Sequence, residues 1–301
     1  MQTENQKVNL PLLTEKKVSL FIKREDKIHP LISGNKYRKL KYNIRKAKIA
    51  QYGTLLTFGG AFSNHILATA CAAHENKLKS IGIIRGEELA YKWMDNPTLS
   101  KARELGMRLK FVSRSDYRNK QSLEFIAQLK SEFGHFYLLP EGGTNDLAIK
   151  GCEEILREED KDFNVVCCSV GTGGTLAGII NSVSLHQKVL GFPALKGEFL
   201  KKDISNFVTN NQWNLQLDYH FGGYGKVSTK LINFINDFKK ETQIPLDPIY
   251  TGKMMFGILD LVKKDKFKPG TKLLVIHTGG LQGIKGMNEK LKKKNLPLIN
   301  L

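Results

Sequence analysis

Leu31-Ile32-Ser33-Gly34-Asn35-Lys36-Tyr37-Arg38-Lys39-Leu40-Lys41-Tyr42 is the stretch from which the rest of the chain can be interpreted. It predicts a helix start, because the side chains of Ser33 and Asn35 can accept hydrogen bonds from the free amides of a first turn. The apolar residues that follow at helical spacing are Tyr37, Leu40, Ile44 and Ala47. This stripe indicates an amphipathic helix with one buried face.

Lys36 falls in the predicted first turn, at the edge of the buried stripe. The positive end of the helix dipole and the loss of water would both lower the pKa of its ammonium group, which would make the free amine available as a nucleophile. Other basic residues surround it, and a lysine on a basic helix is more often solvated. The local sequence by itself therefore favours a solvated surface lysine.

The composition is that of a globular protein of one large or two ordinary domains, with 301 residues of which 41% are hydrophobic. No apolar run is long enough to cross a bilayer, and residues 1–7 lack the apolar core of a signal peptide. We therefore expect a cytoplasmic protein without a membrane segment.

The formal net charge of +18 would suit a protein that binds nucleic acid or another polyanion. The lysines are spread along the chain, however, and no zinc-finger spacing, aromatic RNA-binding motif or basic-zipper heptad is present. Attraction of small anionic substrates explains the charge at least as well. Nucleic-acid binding is therefore disfavoured, and polyanion binding remains the rival class of function.

The four cysteines, Cys71, Cys152, Cys167 and Cys168, show no Cys-x-x-Cys spacing. Two of them lie inside the apolar run 165–170, where alternate side chains of a strand face opposite ways. The pattern favours buried free thiols over disulfides or zinc ligands, and no metal site is expected.

Strand-like and helix-like segments alternate along the chain. The predicted strands are 18–23, 53–58, 80–84, 108–112, 136–139, 164–170, 188–192, 215–221 and 272–277, and the predicted helices after residue 50 are 66–74, 95–105, 116–133, 145–157, 175–183, 229–240, 253–264 and 283–294. Apolar strands that alternate with helices predict an α/β fold with two mostly parallel open sheets covered by helices. We expect a small domain at 50–154 and a large domain built from 1–49 and 155–301.

Glycine-rich turns follow several predicted strands, at the ends where parallel sheets bind ligands. Gly171-Thr172-Gly173-Gly174-Thr175 lies directly before a helix, where glycine amides and the helix N-terminus suit a phosphate. Neither P-loop nor Gly-x-Gly-x-x-Gly spacing is present, which disfavours a nicotinamide dinucleotide. A tight turn without a ligand remains the alternative.

A second turn, Gly59-Gly60-Ala61-Phe62-Ser63-Asn64-His65, joins a strand to the next helix. Capping of that helix would alone explain Ser63 or Asn64, and His65 would then be a structural histidine. The other glycine turns at strand ends are 140–145, 221–224 and 277–280. Several such turns together suggest one shared site lined by backbone.

Five motifs in the same order resemble the 1-aminocyclopropane-1-carboxylate deaminase / D-cysteine desulfhydrase family. They are Ser-Gly-Asn-Lys-Tyr-Arg-Lys-Leu at 33–40, Gly-Gly-Ala-Phe-Ser-Asn-His at 59–65, Pro-Glu-Gly-Gly-Thr-Asn at 140–145, Ser-Val-Gly-Thr-Gly-Gly-Thr at 169–175 and Asp-Pro-Ile-Tyr-Thr-Gly-Lys at 247–253. The resemblance spans roughly residues 20 to 285. It implies a homodimeric pyridoxal-phosphate enzyme with the tryptophan-synthase-β-like fold (fold type II), in which the cofactor cleft lies between a large and a small domain.

The resemblance also implies site residues, and it reverses the interpretation of Lys36. Lys36 becomes the lysine that holds the cofactor covalently, with Lys39 assisting at the phosphate. The implied phosphate cup consists of Gly171, Thr172, Gly173, Gly174 and Thr175. Asn64 would bind the phenolic oxygen of the cofactor, and Ser63, Asn64 and His65 would bind the substrate carboxylate. Tyr250 would lie beside the substrate, and Ser63 and Tyr250 join Lys36 as catalytic candidates.

Thr251 carries the resemblance to one branch of the family. The deaminases have a glutamate facing the pyridine nitrogen at this position, whereas the desulfhydrases have a threonine. A hydroxyl is expected to leave that nitrogen largely neutral, which suits β-elimination with a good leaving group. Thr251 and His65 therefore indicate D-cysteine as the small amino-acid substrate, and the region 178–215 looks shortened. Deamination of 1-aminocyclopropane-1-carboxylate and non-catalytic polyanion binding are the alternatives.

Overall fold

A computed structural model describes residues 2–197 and 199–300, with only the backbone for Phe199. Its strands are β1 (Asn5–Val8), β2 (Ser19–Lys23), β3 (Thr54–Gly59), β4 (Lys79–Arg85), β5 (Met107–Val112), β6 (Tyr137–Leu139), β7 (Val165–Val170), β8 (Lys188–Pro193), β9 (Trp213–Leu215) and β10 (Lys272–Ile276). Its helices are α1 (Pro11–Glu15), α2 (Asn35–Ile49), α3 (Asn64–Glu75), α4 (Pro97–Glu104), α5 (Arg114–Arg118), α6 (Leu123–Phe133), α7 (Asp146–Glu153), α8 (Gly174–Ser182), α9 (Phe199–Ser205), α10 (Thr229–Thr242), α11 (Thr251–Lys263) and α12 (Gly283–Lys292).

The larger sheet has six strands in the order β1-β2-β10-β7-β8-β9. The pairs from β2 to β9 are parallel, and β1 runs antiparallel to β2 at the edge. All six residues of β7 are buried, because helices cover both faces of this central strand. The α/β architecture predicted from the continuous apolar runs is confirmed.

The smaller sheet has four parallel strands in the order β5-β4-β3-β6. Its strands come only from residues 54–139, and those of the larger sheet come from both ends of the chain. The domain boundaries at 49/50 and 154/155 stay a prediction, although no strand crosses from one segment to the other.

Helix α2 begins differently from the sequence-based prediction. Its N-cap is Gly34, at φ +60°, and no side chain caps it, so the predicted capping by Ser33 and Asn35 is wrong. A Cβ at Gly34 would lie 1.9 Å from the Thr278 carbonyl oxygen, because the chain passes directly against the turn that follows β10. Only glycine fits this close approach.

The polar side of α2 is also buried. Arg38 donates two hydrogen bonds to the Glu25 carboxylate, Nε to Oε2 at 2.9 Å and Nη2 to Oε1 at 2.8 Å, and both side chains are shielded from solvent. Such a bidentate pair fixes the rotation of the helix about its axis. Arg38 and Lys39 therefore face the interior, although the local pattern placed them among solvated basic residues.

Two other predictions are wrong in detail. Residues 215–221 are not one strand, because β9 ends at Leu215 and a 3-10 turn follows over Leu217–Tyr219. Residues 116–133 form two helices, since the chain turns between α5 and α6 and Ser122 caps the second one. The elements β1, α1 and α9 are too short for a hydrophobic periodicity to be recognised in the sequence.

All four cysteines are free and buried, as predicted. Within residues 2–197 and 199–300, no helix has both the length and the apolar character needed to cross a membrane.

Candidate active site

The glycine turns at the carboxyl ends of the strands of both sheets converge on the N-terminus of α2. Asn35 Nδ2 donates to Thr175 Oγ1 at 2.7 Å, which joins α2 to the start of α8. A Cβ at Gly280 would lie 3.0 Å from Asn64 Nδ2, so the turn after β10 also touches the start of α3. The tertiary structure therefore builds one cleft from segments that lie far apart in sequence.

Lys36 lies in the first turn of α2 and is partly buried at this cleft. Its Nζ donates to Asn35 Oδ1 at 3.2 Å. Burial, and to a smaller extent repulsion from Lys39, lower the pKa of Lys36 from 10.5 to about 7. A large fraction of Lys36 is therefore a free amine at neutral pH, which is the form that attacks an aldehyde.

Lys39 lies one turn later, and its ammonium group is fully enclosed. It donates to the Gly142 carbonyl and to Thr144 Oγ1, both at 2.9 Å, and it lies 3.4 Å from Thr172 Oγ1. Burial lowers the pKa of Lys39. The cation and the two hydroxyl groups thus meet at the entrance of the glycine loop, which favours an anion there.

The loop Gly171–Thr175 connects β7 to α8 in a conformation that needs glycine. Gly173 has φ +83°, and a Cβ there would lie 2.7 Å from Ile204 Cγ1. At Gly174 a Cβ would lie 2.8 Å from Thr144 Cγ2. The bare backbone at the N-terminus of α8, with threonine hydroxyls and the Lys39 ammonium nearby, fits a phosphate group.

The start of α3 supplies a second set of donors. Ser63 is its N-cap and accepts a hydrogen bond from the Ile66 amide, so the capping that the sequence allowed for Ser63 is present. Asn64 faces the turn after β10. The first amides of α3 suit a carboxylate, because they point outward from the positive end of the helix.

His65 is buried, and neither ring nitrogen makes a hydrogen bond of good geometry among the described residues, although the Pro140 carbonyl lies near enough to favour the protonated ring slightly. A Cβ at Gly143 would lie 2.7 Å from His65 Cε1, so the ring packs directly under the 140–145 turn. Burial lowers the pKa of His65 well below 6.5, with further repulsion from Lys36 and Lys39. A neutral ring with unsatisfied nitrogens is suited to a polar ligand at this place, because unpaired buried polar groups are costly.

Tyr250 immediately precedes α11, and its ring packs against the glycine loop, since a Cβ at Gly171 would lie 3.2 Å from Tyr250 Cε1. The half-exposed ring of Tyr224 meets it edge to face, at 6.2 Å between ring centroids. Burial raises the pKa of the Tyr250 phenol well above 10, and Tyr224 raises it further. Both phenols are therefore protonated donors at neutral pH.

The hydroxyl of Thr251 is bonded to Asp247 in two ways. It donates to Asp247 Oδ1 and accepts from the Asp247 amide, both at 2.8 Å, and Thr251 has no exposed surface. A hydroxyl has one proton and two lone pairs. The Thr251 hydroxyl can therefore accept one more hydrogen bond, but it cannot donate one to a ligand while its proton is bonded to Asp247.

Lys253 is a buried residue that the sequence reasoning did not assign a role. Its ammonium group donates to the carbonyl oxygens of His220 and Gly223, both at 2.8 Å, and thereby ties the loop that carries Tyr224 to α11. Burial lowers the pKa of Lys253 to about 8, and Asp247 opposes this shift.

We expect Lys253→Met to loosen the loop that carries Tyr224. Loss of the donor leaves two carbonyls without a partner, which destabilises the fold by about 2 kcal/mol. Thermal unfolding and the KM for the substrate measure the two effects, and we expect both a lower Tm and a higher KM. Lys263→Met, at an exposed position of the same helix, is the matched control. An unchanged KM in Lys253→Met would contradict the positioning role.

Among the described residues, His29, Cys71 and Glu75 lie close enough together to hold a metal ion. His29 Nδ1 accepts from the amides of Leu31 and Ile32, so the proton lies on Nε2, which faces Glu75 at 3.0 Å. A neutral imidazole in this state has no lone pair left for a metal. The cluster is explained by its own hydrogen bonds, and the absence of a metal stays a prediction.

The structure brings all the predicted site residues to the cleft or its walls, and it adds Thr144, Tyr224 and Asp247. Thr144 and Tyr224 lie in glycine turns that the sequence had singled out, and their position directly after the glycines was the available signal. Asp247 accepts four hydrogen bonds, from Thr251 Oγ1 and from the amides of 249, 250 and 251. It caps α11 from four residues before the helix, where an aspartate by itself carries no signal.

Comparison with known proteins adds three findings. The family model described as pyridoxal-phosphate dependent enzyme matches residues 3–279. A protein of Pyrococcus abyssi that is provisionally named a 1-aminocyclopropane-1-carboxylate deaminase is 32% identical over 295 residues, which cover 91% of this chain and 88% of the relative. The mitochondrial bifunctional D-cysteine desulfhydrase/1-aminocyclopropane-1-carboxylate deaminase of Arabidopsis thaliana is 30% identical, over 92% of this chain and 75% of its own.

A solved structure described as a homologue of 1-aminocyclopropane-1-carboxylate deaminase superposes with a TM-score of 0.82 at 28% sequence identity. The match covers 97% of this chain and 94% of the other one.

Proposed function

This chain belongs to the pyridoxal-phosphate-dependent enzyme family, and from that membership we propose that it is a D-cysteine desulfhydrase. It is a lyase or deaminase with pyridoxal phosphate as its cofactor. The proposed reaction converts D-cysteine and water to pyruvate, ammonia and hydrogen sulfide. The homodimer and the cytoplasmic location that the sequence resemblance implied stay predictions.

Different residues of the cleft would have different roles in such a reaction. The loop Gly171–Thr175 (with Thr172), Lys39 and Thr144 would hold the phosphate of the cofactor, and Lys36 would bind its aldehyde covalently. When bound, pyridoxal phosphate supplies an electron sink for negative charge at the substrate α-carbon. Lys36 Nζ would take the α-proton of the substrate, because its lowered pKa makes it a base near neutral pH.

Substrate binding is assigned to the start of α3 and to the tyrosine pair. The first amides of α3 and the Ser63 hydroxyl hold the α-carboxylate, and Asn64 holds the phenolic oxygen of the cofactor. Tyr250 and Tyr224 close the opposite wall and, as protonated phenols, can donate to a leaving group. Their paired rings also exclude water, which protects the reaction from side hydrolysis.

The observation that carries the enzyme assignment is the joint environment of Lys36 and Lys39. Two lysines one turn apart on the same helix lie at one cleft. Lys36 is partly buried with a pKa lowered to about 7, and Lys39 is buried and bonded to threonines at a glycine loop. A protein that binds polyanions needs exposed charges instead.

Thr251 supports D-cysteine over the cyclopropane substrate. In place of a carboxylate, this position offers only a hydroxyl whose proton is donated to Asp247. If this position lies beside the ring nitrogen of the bound cofactor, as the resemblance implies, Thr251 would leave the cofactor a weaker electron sink than a glutamate would. Elimination of sulfide tolerates a weaker sink, because the thiolate is a good leaving group.

A competition assay tests this choice. We expect the holoenzyme, given D-cysteine and 1-aminocyclopropane-1-carboxylate together, to form pyruvate and sulfide at least tenfold faster than the four-carbon keto acid from the ring-opened substrate. Mass spectrometry of the keto acids measures both products in one reaction. Formation of the four-carbon acid without sulfide would show that the deaminase alternative, which the relatives' names support equally, is the correct one.

A further inference from the structure

A group of polar side chains from the small sheet lies at the mouth of the cleft. Arg85 ends β4, Tyr117 lies on α5, Lys120 follows that helix, and Glu141 follows β6. The Tyr117 hydroxyl donates to Glu141 Oε1 at 2.7 Å, and Lys120 Nζ lies 3.2 Å from Glu141 Oε2. We call these four residues the mouth cluster.

The mouth cluster carries one cation, Arg85, that has no acidic partner within residues 2–197 and 199–300. Glu141 is paired with Lys120, so its charge is balanced. Arg85 makes neither an ion pair nor a hydrogen bond within the part of the chain that the structure describes, and its guanidinium lies over the Tyr117 ring at 5.8 Å. Lys120 lies over the same ring at 4.9 Å. The ring holds the guanidinium in place without reducing its charge.

Arg85 is close to the substrate-binding loop. A Cβ at Gly60 would lie 3.7 Å from Arg85 Nη2, and the Ser63 amide donates to the Gly60 carbonyl at 3.0 Å. Tyr224 lies close enough to feel this charge. Burial raises the pKa of Tyr224, and the positive charge of Arg85 opposes part of that shift. Arg85 therefore faces the space between Ser63 and Tyr224, where the side chain of a bound amino acid would extend.

The charges expected in the loaded site leave Arg85 without a partner. The phosphate of the cofactor is balanced by Lys39 and the start of α8, and the α-carboxylate is assigned to the amides at the start of α3. About half of Lys36 is neutral near pH 7. Arg85 is exposed at the end of β4, so its guanidinium is accessible to a further anion, and charge-assisted hydrogen bonds to a guanidinium are strong.

We propose that Arg85, with Tyr117 behind it, forms a subsite for an anionic group on the side chain of the substrate. The substrate class is then the α-amino acids that carry a phosphate, sulfinate or carboxylate beyond the β-carbon, with the thiolate that leaves D-cysteine as the smallest example. This proposal rests on the proposed function insofar as the ligand is an α-amino acid.

Calorimetric titration of the borohydride-reduced holoenzyme tests the subsite directly, because reduction of the bond between Lys36 and the cofactor prevents turnover of the ligand. The probes are O-phosphoserine and serine, because these two amino acids differ only in the anionic group. Each is tested as both enantiomers. We expect wild type to bind the phosphorylated amino acid more tightly than serine. Arg85→Gln should weaken binding of O-phosphoserine about 10–100-fold, and at least tenfold more than binding of serine.

Arg108→Gln is the matched control. Arg108 lies in β5 of the same sheet, and its guanidinium also lies over an aromatic ring, that of Phe133, at 4.8 Å. Neither Arg108 nor Phe133 belongs to the mouth cluster. Arg108→Gln should bind both ligands as wild type does, and an equal loss in this variant would mean that overall charge, not the subsite, is responsible.

Two results would overturn the proposal. Equal weakening of serine and O-phosphoserine by Arg85→Gln would place Arg85 at the α-carboxylate, and no preference for O-phosphoserine in wild type would remove the subsite. Failure of the proposed function looks different: the enzyme would then form no sulfide from D-cysteine, while the preference for the anionic amino acid in the titration would persist.

Discussion

Lys36→Ala should abolish covalent cofactor binding and lower the rate of sulfide release from D-cysteine at least ~10⁴-fold. The variant loses both the amine that binds the cofactor aldehyde and the base for the α-proton, and removal of a positioned base alone costs about 10²–10⁴-fold in rate. The visible absorbance of the purified protein, before and after borohydride reduction, measures the covalent bond. Sulfide release measured in parallel gives the rate.

Lys48→Ala is the control for this substitution, since Lys48 is exposed on the same helix. It should keep the yellow colour and the activity. A Lys36→Ala protein that still held the cofactor in a borohydride-reducible bond would show that another lysine is the covalent residue. A colourless wild type that stays colourless with added pyridoxal phosphate would instead favour polyanion binding, which salt-dependent nucleic-acid binding by both proteins would then test.

The pH dependence of the apoprotein follows from the same residue. Because burial lowers the pKa of Lys36 from 10.5 to about 7, the rate at which the apoprotein captures pyridoxal phosphate should rise with pH through about 7. Between that pH and 10.5 the unfolded chain binds one more proton at this group than the folded chain. The contribution of Lys36 to stability therefore increases with pH in this window.

Gly34→Ala should destabilise the fold more than any other glycine-to-alanine substitution near the site. Gly34 has φ +60°, and the new Cβ would lie 1.9 Å from the Thr278 carbonyl oxygen and 2.2 Å from its carbon. Backbone strain of this kind costs about 1–3 kcal/mol, and a clash with backbone that cannot rotate away costs about as much again. We expect a loss of about 3–5 kcal/mol in the free energy of unfolding.

Displacement of α2 should also misplace Lys36. The fraction of Gly34→Ala that still folds should therefore be less active than the same amount of folded wild type. Gly53→Ala is the matched control, because open space surrounds that position and its φ is not left-handed. Chemical denaturation of the three proteins, with activity measured at low denaturant, separates the two effects. Equal stability of Gly34→Ala and Gly53→Ala would mean that the turn after β10 can move aside.

The sequence determined the α/β class, the parallel sheets and most helix positions, because apolar periodicity reports burial directly. It also located the glycine turns, since these residues permit backbone conformations that others avoid. Five ordered motifs then identified the family that the comparisons show. Single residues were less informative: Lys36 looked like a solvated lysine until its motif was considered.

The tertiary structure decided what lies opposite each motif. Whether Gly34 must be glycine depends on Thr278, far away in sequence, and the use of the Thr251 proton depends on a helix cap formed by Asp247. Arg85 is at the end of a strand in the sequence, and only the tertiary structure places its charge at the cleft, over the Tyr117 ring. Local periodicity reports which side of an element is buried, whereas the neighbour of a charge or hydroxyl is set by contacts between distant segments.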